Sequence, residues 1–263
     1  MSSYSNIEWT DATWNPTRGC TKISAGCKNC YAETFSERFR GVPGHPFEFG
    51  FDLKLVPEKL EEPLKWQTPK KIFVNSMSDL FHEDIPDEYI YRVFSVMRLA
   101  DWHIYQVLTK RPERMKRLFD TVLKEFSDFK HIWLGVSVEN RKHGIPRISL
   151  LQNTNISTKF LSIEPLLEDL GFINLKKIDW VIVGGESGPR SRPIEKDWVL
   201  SIYKQCKNNK VPFFFKQWGG VRKHLTGRTL LGKTFSEFPT IKLKEVPIRS
   251  IILDRRKSLQ QTA

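Results

Sequence analysis

Apolar residues in this chain fall into short, nearly unbroken runs that end in polar residues or glycine. Six of them are KIFVNS (71–76), HIYQVLT (103–109), HIWLGVSV (131–138), KFLSIE (159–164), DWVIVGGE (179–186) and VPFFFKQW (211–218). They are rich in β-branched and aromatic residues and show no long alternation with polar ones. Such runs suit strands covered on both faces, as in a parallel sheet. Between them lie stretches of helical periodicity at 87–100, 111–126 and 195–209. In the first, Ile90, Val93, Phe94 and Met97 recur at the spacing of one helix face. In the second, Pro112 falls in a first helical turn.

Strand alternating with helix predicts right-handed βαβ units around a parallel sheet. With one more strand near residue 20, about six or seven repeats can be counted. The expected fold class is therefore α/β, a full or partial (β/α) barrel of the TIM-like kind. Residues 1–219 would form the barrel, with a rim insertion at 40–69 that is first rich in Pro, Gly and Phe and then charged. Residues 220–263 read as a C-terminal extension covering the barrel mouth. Such barrels carry their chemistry at the C-terminal ends of the strands. The polar strand ends are thus the site candidates: Ser76, Ser78 and Asp79; Lys110 and Arg111; Ser137, Glu139 and Asn140; Glu164; Gly184, Gly185 and Glu186; Lys216 and Gln217.

Charge narrows the choice of partner. The formal net charge is +12 and the pI about 9.5, which favours a polyanion, with nucleic acid the leading candidate. From Gly220 onward ten Lys/Arg face three Asp/Glu, the signature of a nucleic-acid-binding segment or of a solvated basic tail. No apolar run approaches membrane-spanning length, and no apolar stretch follows the start MSSYSNIEWTDATWN. A cytoplasmic protein without a membrane partner is expected.

Three of the four cysteines lie within eleven residues: Cys20, Cys27 and Cys30, spaced C-x6-C-x2-C. In a reducing compartment such clustering points to metal rather than disulfides. Three thiolates on one loop can hold three irons of a [4Fe–4S] cluster and leave the fourth open to an external molecule. Structural zinc is a rival reading, and would need a fourth ligand from His45, His82 or Cys206. A redox pair at Cys27–Cys30 would leave Cys20 without a role, and unligated structural cysteines are the blandest alternative. Cys206, on an apolar helix face with Val199 and Ile202, reads as a buried small hydrophobe. Glu186 reads either as a site carboxylate or as a partner of Arg190 or Arg192.

The three-cysteine loop ahead of a (β/α) barrel resembles the radical SAM superfamily, although the usual spacing there is C-x3-C-x2-C. The segments IEWTDATWNPTRGC, NSMSDLFHEDIP, LTKRPERM, GVSVEN, SIEPLL, IVGGESGPRSRP and FFFKQWGG look like those of a phage- and bacteria-associated three-Cys-motif family of radical-SAM-like proteins, from about residue 7 to about 240. There is a weaker likeness in layout to spore photoproduct lyase. The resemblance implies a [4Fe–4S] cluster on Cys20, Cys27 and Cys30, with S-adenosylmethionine on the open iron. It further implies reductive cleavage of that cofactor to a 5′-deoxyadenosyl radical, fed by a reductant protein. By position, Ser76, Ser78 and Asp79 would hold the methionine amino group, and Ser137, Glu139 and Asn140 the ribose or carboxylate. Lys110 would neutralise the carboxylate, and the Gly184–Gly185 backbone would approach the cofactor closely; Glu164, read from the residues alone, is a site carboxylate, a cap of the following helix or a partner of Arg190 or Arg192. The family's Gly-Gly-Glu on the second strand is replaced here by Ser-Met-Ser-Asp. The implied activity is a radical SAM enzyme acting on a nucleic acid or nucleotide-derived substrate. The alternative is a non-catalytic, metal-containing nucleic-acid-binding or phage/defence-complex module.

Overall fold

The computed structural model describes Ser5 and residues 7–261. Seven strands form one parallel sheet: β1 (Ala12–Trp14), β2 (Lys71–Val74), β3 (Ile104–Thr109), β4 (Ile132–Ser137), β5 (Thr158–Ile163), β6 (Trp180–Gly184) and β7 (Phe213–Gln217). Each strand pairs with the next in chain order, and the sheet curls into a half barrel whose edges are β1 and β7. Of the two expected architectures, the partial (β/α) barrel is the one found. Along the convex face lie α2 (Asp87–Leu99), α3 (Pro112–Asp120), α4 (Arg141–Gln152) and α5 (Lys196–Asn208), after the short α1 (Tyr31–Ser36) and before the C-terminal α6 (Arg249–Gln261).

The near-continuous strand runs hide a division into two faces. Ile72, Val74, Tyr105, Val107, Leu134, Val136, Leu161, Val181 and Phe213 belong to the large cluster under the helices. Their neighbours Phe73, Ile104, Trp133, Phe160, Trp180, Ile182 and Phe214 form a second cluster on the inner face. Successive side chains point to opposite faces of a sheet, so burial on both sides removes the polar alternation from the sequence. Gly135 makes room within the inner layer, because a Cβ there would lie 2.5 Å from the Phe160 ring.

A half barrel leaves this inner aromatic layer uncovered at the strand starts, and the chain after Gly220 supplies the cover. Phe238 packs 5.0 Å from Trp180 and 5.4 Å from Phe214 (ring centroids), and the Trp180 Nε1–H donates to the Glu237 carbonyl at 2.8 Å. Lys71, the first residue of β2, lies over the same Phe238 ring. The extension thus divides: its start, from Gly220 to Thr229, lies beside the C-terminal ends of β6 and β7, and the part around Phe238 covers the N-terminal ends of the strands. It then runs to α6, which packs on α2: Arg255 and Lys244 both pair with Asp101, Arg256 pairs with Glu61, and Leu259 is buried. Part of the basic excess is thus spent on intramolecular ion pairs.

Two of the longer helices, α4 and α6, escaped the sequence pattern. In α4 a glycine and a proline interrupt the periodicity; Gly144 is needed because a Cβ would meet the Val138 side chain at 2.4 Å. Helix α6 mixes basic and apolar residues with no continuous stripe. The insertion at 40–69 also divides. Lys54–Leu55 pairs antiparallel with Thr17–Arg18 at the rim, whereas Leu60 and Leu64 join the outer core. Among the described residues no helix is long and apolar enough to cross a membrane.

His103 anchors the second half of that insertion and makes stability pH-dependent. It is fully buried, accepts from the Lys70 amide through Nδ1 (3.1 Å) and donates from Nε2 to the Pro63 carbonyl (3.0 Å), which requires the neutral ring. Burial, aided by the charges of Lys70 and His131, holds its pKa down to about 4. The unfolded chain takes up this proton near pH 6.5 and the folded chain only near pH 4, so the contribution is complete above 6.5 and is lost as pH falls through this window. We predict a loss on the order of 3 kcal/mol from this one group. It would be measured as the urea midpoint against pH, with a flatter profile for His103→Gln; parallel profiles would refute the assignment.

Candidate functional site

The loop carrying the cysteines leaves the sheet after β1 and returns across the C-terminal strand ends. Gly19 starts it at φ +78°, and a Cβ there would lie 2.1 Å from the Asp52 carbonyl oxygen, so only glycine permits this crossing. The Gly19 amide donates to Met77 and the Cys20 amide to Phe51. Arg111, beyond β3, donates to the Thr21 carbonyl and hydroxyl and reaches the Cys20 sulfur at 3.4 Å. Its guanidinium is held in turn by Asp79 and Glu83. Further along, the Gly26 amide donates to Glu139 (3.4 Å), Arg192 donates to the Ala25 carbonyl (3.0 Å), and Asn29 donates to Glu186 (2.9 Å). The Tyr31 hydroxyl closes the loop onto the Ser76 carbonyl. The ends of β2, β3, β4 and β6 all hold it.

Between this loop and the inner aromatic layer lies a cavity of about 490 Å³. Cys20, Cys27 and Cys30, all half-buried, line it together with Asn75, Ser76, Ser78, Asp79, Lys110, Arg111, Ser137, Glu164, Glu186, Lys216 and Gln217. Ile7, Trp9, Phe73 and Leu108 give it an apolar part. A mainly apolar pocket with a few converging polar groups is the usual form of a small-molecule site. Burial, with the nearby Asp79 carboxylate, raises the Cys20 thiol to about 11 against the opposing pull of Arg111. At Cys27 burial acts upward too, but Lys110 and hydrogen bonds from Ile23 and Ser24 outweigh it and lower the pKa.

The sequence-derived candidates divide on inspection. Ser76, Ser78, Asp79, Lys110, Ser137 and Glu164 stand on the cavity wall. Several are already engaged: Ser76 donates to Asn15, and Ser78 donates to the Gly19 carbonyl. Asp79 accepts from Thr109, from the Phe81 and Lys110 amides and from Arg111, so its place is to brace the strand end and Arg111. Glu164 pairs with Lys216 at 2.7 Å. Glu139 is fully buried, paired with Arg147 at 2.6 Å and directed at the loop backbone, away from the cavity wall. Asn140 caps α4 by accepting from the His143 amide. Gly184 and Gly185 serve chain packing: a Cβ on Gly185 would lie 2.0 Å from the Trp218 carbonyl oxygen, and one on Gly184 would lie 3.3 Å from the Glu164 carboxyl.

Glu186, read two ways from sequence, joins both: it lines the cavity and pairs with Arg192 at 2.5 Å. Burial would raise its pKa, but the bonds from Arg192 and Asn29 hold it below the ordinary carboxylate value. Asn29 and Arg147 were missed. The first is an unremarkable residue inside the cysteine motif, and the second lies on the helix that glycine and proline disguised. Asn75, at the polar end of the KIFVNS run, lines the cavity, and its φ of +59° and its bond to Thr17 turn the chain from β2 toward the cysteine loop.

Three thiols on one cavity wall are the donor set that a three-thiol cluster would take. Among the described residues no three His, Cys, Asp or Glu side chains converge as the ligands of one ion. A cubane takes its thiolates on separate irons, so convergence on one point is a requirement of zinc, not of the cluster. The proposed fourth zinc ligands are occupied elsewhere. His45 stacks on Phe39 (3.9 Å), His82 bonds Thr21 and the Asp84 amide, and Cys206 is buried in the outer core. Two polar atoms of cavity-lining residues, Trp9 Nε1 and Gln217 Oε1, are buried without a partner among the described residues. A bound molecule is one way to satisfy such groups.

No curated protein and no solved structure gave a significant match to the chain. Residues 4–239, which take in the whole sheet, the cysteine loop and the Phe238 cover, do match one family along their length. The chain belongs to the family described as "Protein of unknown function (DUF5131)".

Proposed function

We propose that this chain is a radical-SAM-like iron–sulfur enzyme that reductively cleaves S-adenosylmethionine to act on a nucleic acid or a nucleotide-derived substrate. The observation that carries this reading is the lining of one cavity by Cys20, Cys27 and Cys30 at the C-terminal ends of a curled parallel sheet. When bound, the cluster and S-adenosylmethionine supply one-electron cleavage of a sulfonium, with the electron from an external reductant protein, and a radical that takes hydrogen from the substrate.

The chain's own residues bind, orient and exclude. Arg111, Arg192, Asn29 and Glu139 hold the loop so that three thiols face one space. Lys110 places a positive charge beside Cys27, which favours the thiolate that a metal requires. Lys216 and Glu164 set an ammonium and a carboxylate side by side on the wall, able to orient a polar ligand. Trp9, Phe73 and Leu108 keep the deeper part apolar and dry, which limits side reactions. A reducing, cytoplasmic setting suits free thiols of this kind.

Purified and reconstituted without oxygen, the protein should be brown and hold about four irons per chain. With dithionite and S-adenosylmethionine it should release 5′-deoxyadenosine. A fully loaded protein that releases none overturns the catalytic reading. One zinc and no iron in protein prepared the same way supports the metal-containing binding module instead.

A further inference from the structure

Five of the exposed large apolar residues lie close together in the chain, in and just after the cysteine loop: Ile23, Tyr31, Phe35, Val42 and Phe49. Phe49 is 57% and Phe35 43% exposed, so both rings leave a large apolar face to solvent. Phe35 belongs to a connected group of rings. Phe35 stands 5.2 Å from Phe39 and 5.6 Å from Phe47, and Phe39 stacks on His45. Tyr31 and Ala32, in the same short helix as Phe35, line the cavity, so the ring group continues into the candidate site.

Cations are interleaved with these rings. The Arg18 guanidinium lies 5.3 Å from the Phe47 ring centre and Lys54 Nζ lies 5.6 Å from that of Phe49. The carboxylates of this rim are largely paired within it: Glu33 with Lys22, and Glu37 and Asp52 with Arg40. Among the described residues Arg18, Lys28, Arg38 and Lys54 have no carboxylate at salt-bridge distance, and the last three are exposed. By contrast, the C-terminal segment, the most basic in sequence, places Lys244, Arg255 and Arg256 on Asp101 and Glu61.

We infer that the rim from Tyr31 to Lys54 is a landing surface for single-stranded nucleic acid, which presents one nucleotide to the cavity. Exposed ring faces are useful to a ligand with exposed planar groups, and interleaved cations to one with a phosphate at every step. A single strand has both, whereas a duplex hides its base faces in the stack. Stacking on aromatic side chains tolerates any base, so the surface confers affinity and register without sequence preference. The inference rests on the nucleic-acid half of the proposed function and is independent of the cluster chemistry.

The test is fluorescence anisotropy of a labelled single-stranded oligonucleotide with the full-length protein, in iron-loaded and iron-free form. Phe49→Ala and Phe35→Ala should each weaken binding about ten-fold. Lys54→Gln should lower the slope of log affinity against log salt by about one. Lys257→Gln, an exposed position on α6, should leave both quantities unchanged. An unlabelled duplex of the same sequence should compete poorly. Wild-type affinity in both phenylalanine variants, an equal effect from Lys257→Gln, or tighter binding of the duplex overturns the inference. Binding retained by the iron-free protein, with the loss in the phenylalanine variants, keeps it standing even if the cluster chemistry fails.

Discussion

Cys27→Ala, reconstituted without oxygen, will hold almost no iron, whereas Cys206→Ala will hold as much as the parent chain. The two cysteines differ in place rather than in kind. Cys27 is half-buried on the cavity wall, with Lys110 and the bonds from Ile23 and Ser24 favouring its thiolate. Cys206 is fully buried on α5, and burial pushes its thiol up to about 12, so it remains a neutral apolar group. Removing one of three thiolates leaves two irons with no protein ligand, which is too few to retain a cluster against solvent and oxygen. Cys20→Ala and Cys30→Ala should behave as Cys27→Ala does. Iron content and the visible absorption of the anaerobic protein are the measurements, with circular dichroism to establish folding. Iron at the parent level in folded Cys27→Ala would remove the three-thiol centre from consideration.

The second large effect is on stability and reaches the site indirectly. Arg147→Met should destabilise the protein by about 3–5 kcal/mol, because it leaves the Glu139 carboxylate buried and unpaired. Glu139 is fully buried, its pair with Arg147 is 2.6 Å, and Arg147 also donates to the Ser137 carbonyl. Burial is the largest influence on Glu139 and would raise its pKa; Arg147, Ser24 and Lys110 together outweigh it and hold the carboxyl below its ordinary value. Replacing both partners, Arg147→Met with Glu139→Gln, should recover most of the loss, since the cost comes from the orphaned charge. Urea unfolding of the parent, the single and the double variant gives the comparison. A single variant as stable as the parent would show that Glu139 is neutralised in place. The bond from Gly26 to Glu139 predicts a further effect: the single variant should also load iron more slowly, through a loosened cysteine loop.

The strand runs and their order were readable because a parallel sheet covered on both faces demands continuous apolar segments. Which residues face inward was not. Phe73, Trp133, Phe160 and Trp180 are indistinguishable in sequence from Ile72, Leu134, Leu161 and Val181, yet only the first set forms the inner layer, and of it Phe73 reaches the cavity beneath the cysteine loop. Helix α4 was lost to Gly144 and Pro146, and with it Arg147. The basic C-terminal segment invited a functional reading that its ion pairs to Asp101 and Glu61 answer differently. Its Phe238 is needed at the strand starts because an open half barrel has no opposite wall.

By itself the sequence determined the α/β class, the approximate number of strands, and a three-thiol loop near strand ends that carry polar residues. Each follows from local periodicity or spacing, which a linear pattern records directly. Tertiary structure alone decided that Glu139, Asn140, Gly184 and Gly185 support the site from outside its wall, that Asn29 and Arg192 latch the cysteine loop, and that the half-exposed Tyr31 stands on the cavity wall. Those outcomes depend on contacts between residues far apart in the chain, such as Asn29 with Glu186 and Gly26 with Glu139. A polar residue at a strand end has the same appearance in sequence whether its side chain meets a ligand or a neighbouring backbone, and only the fold sets which partner is within reach.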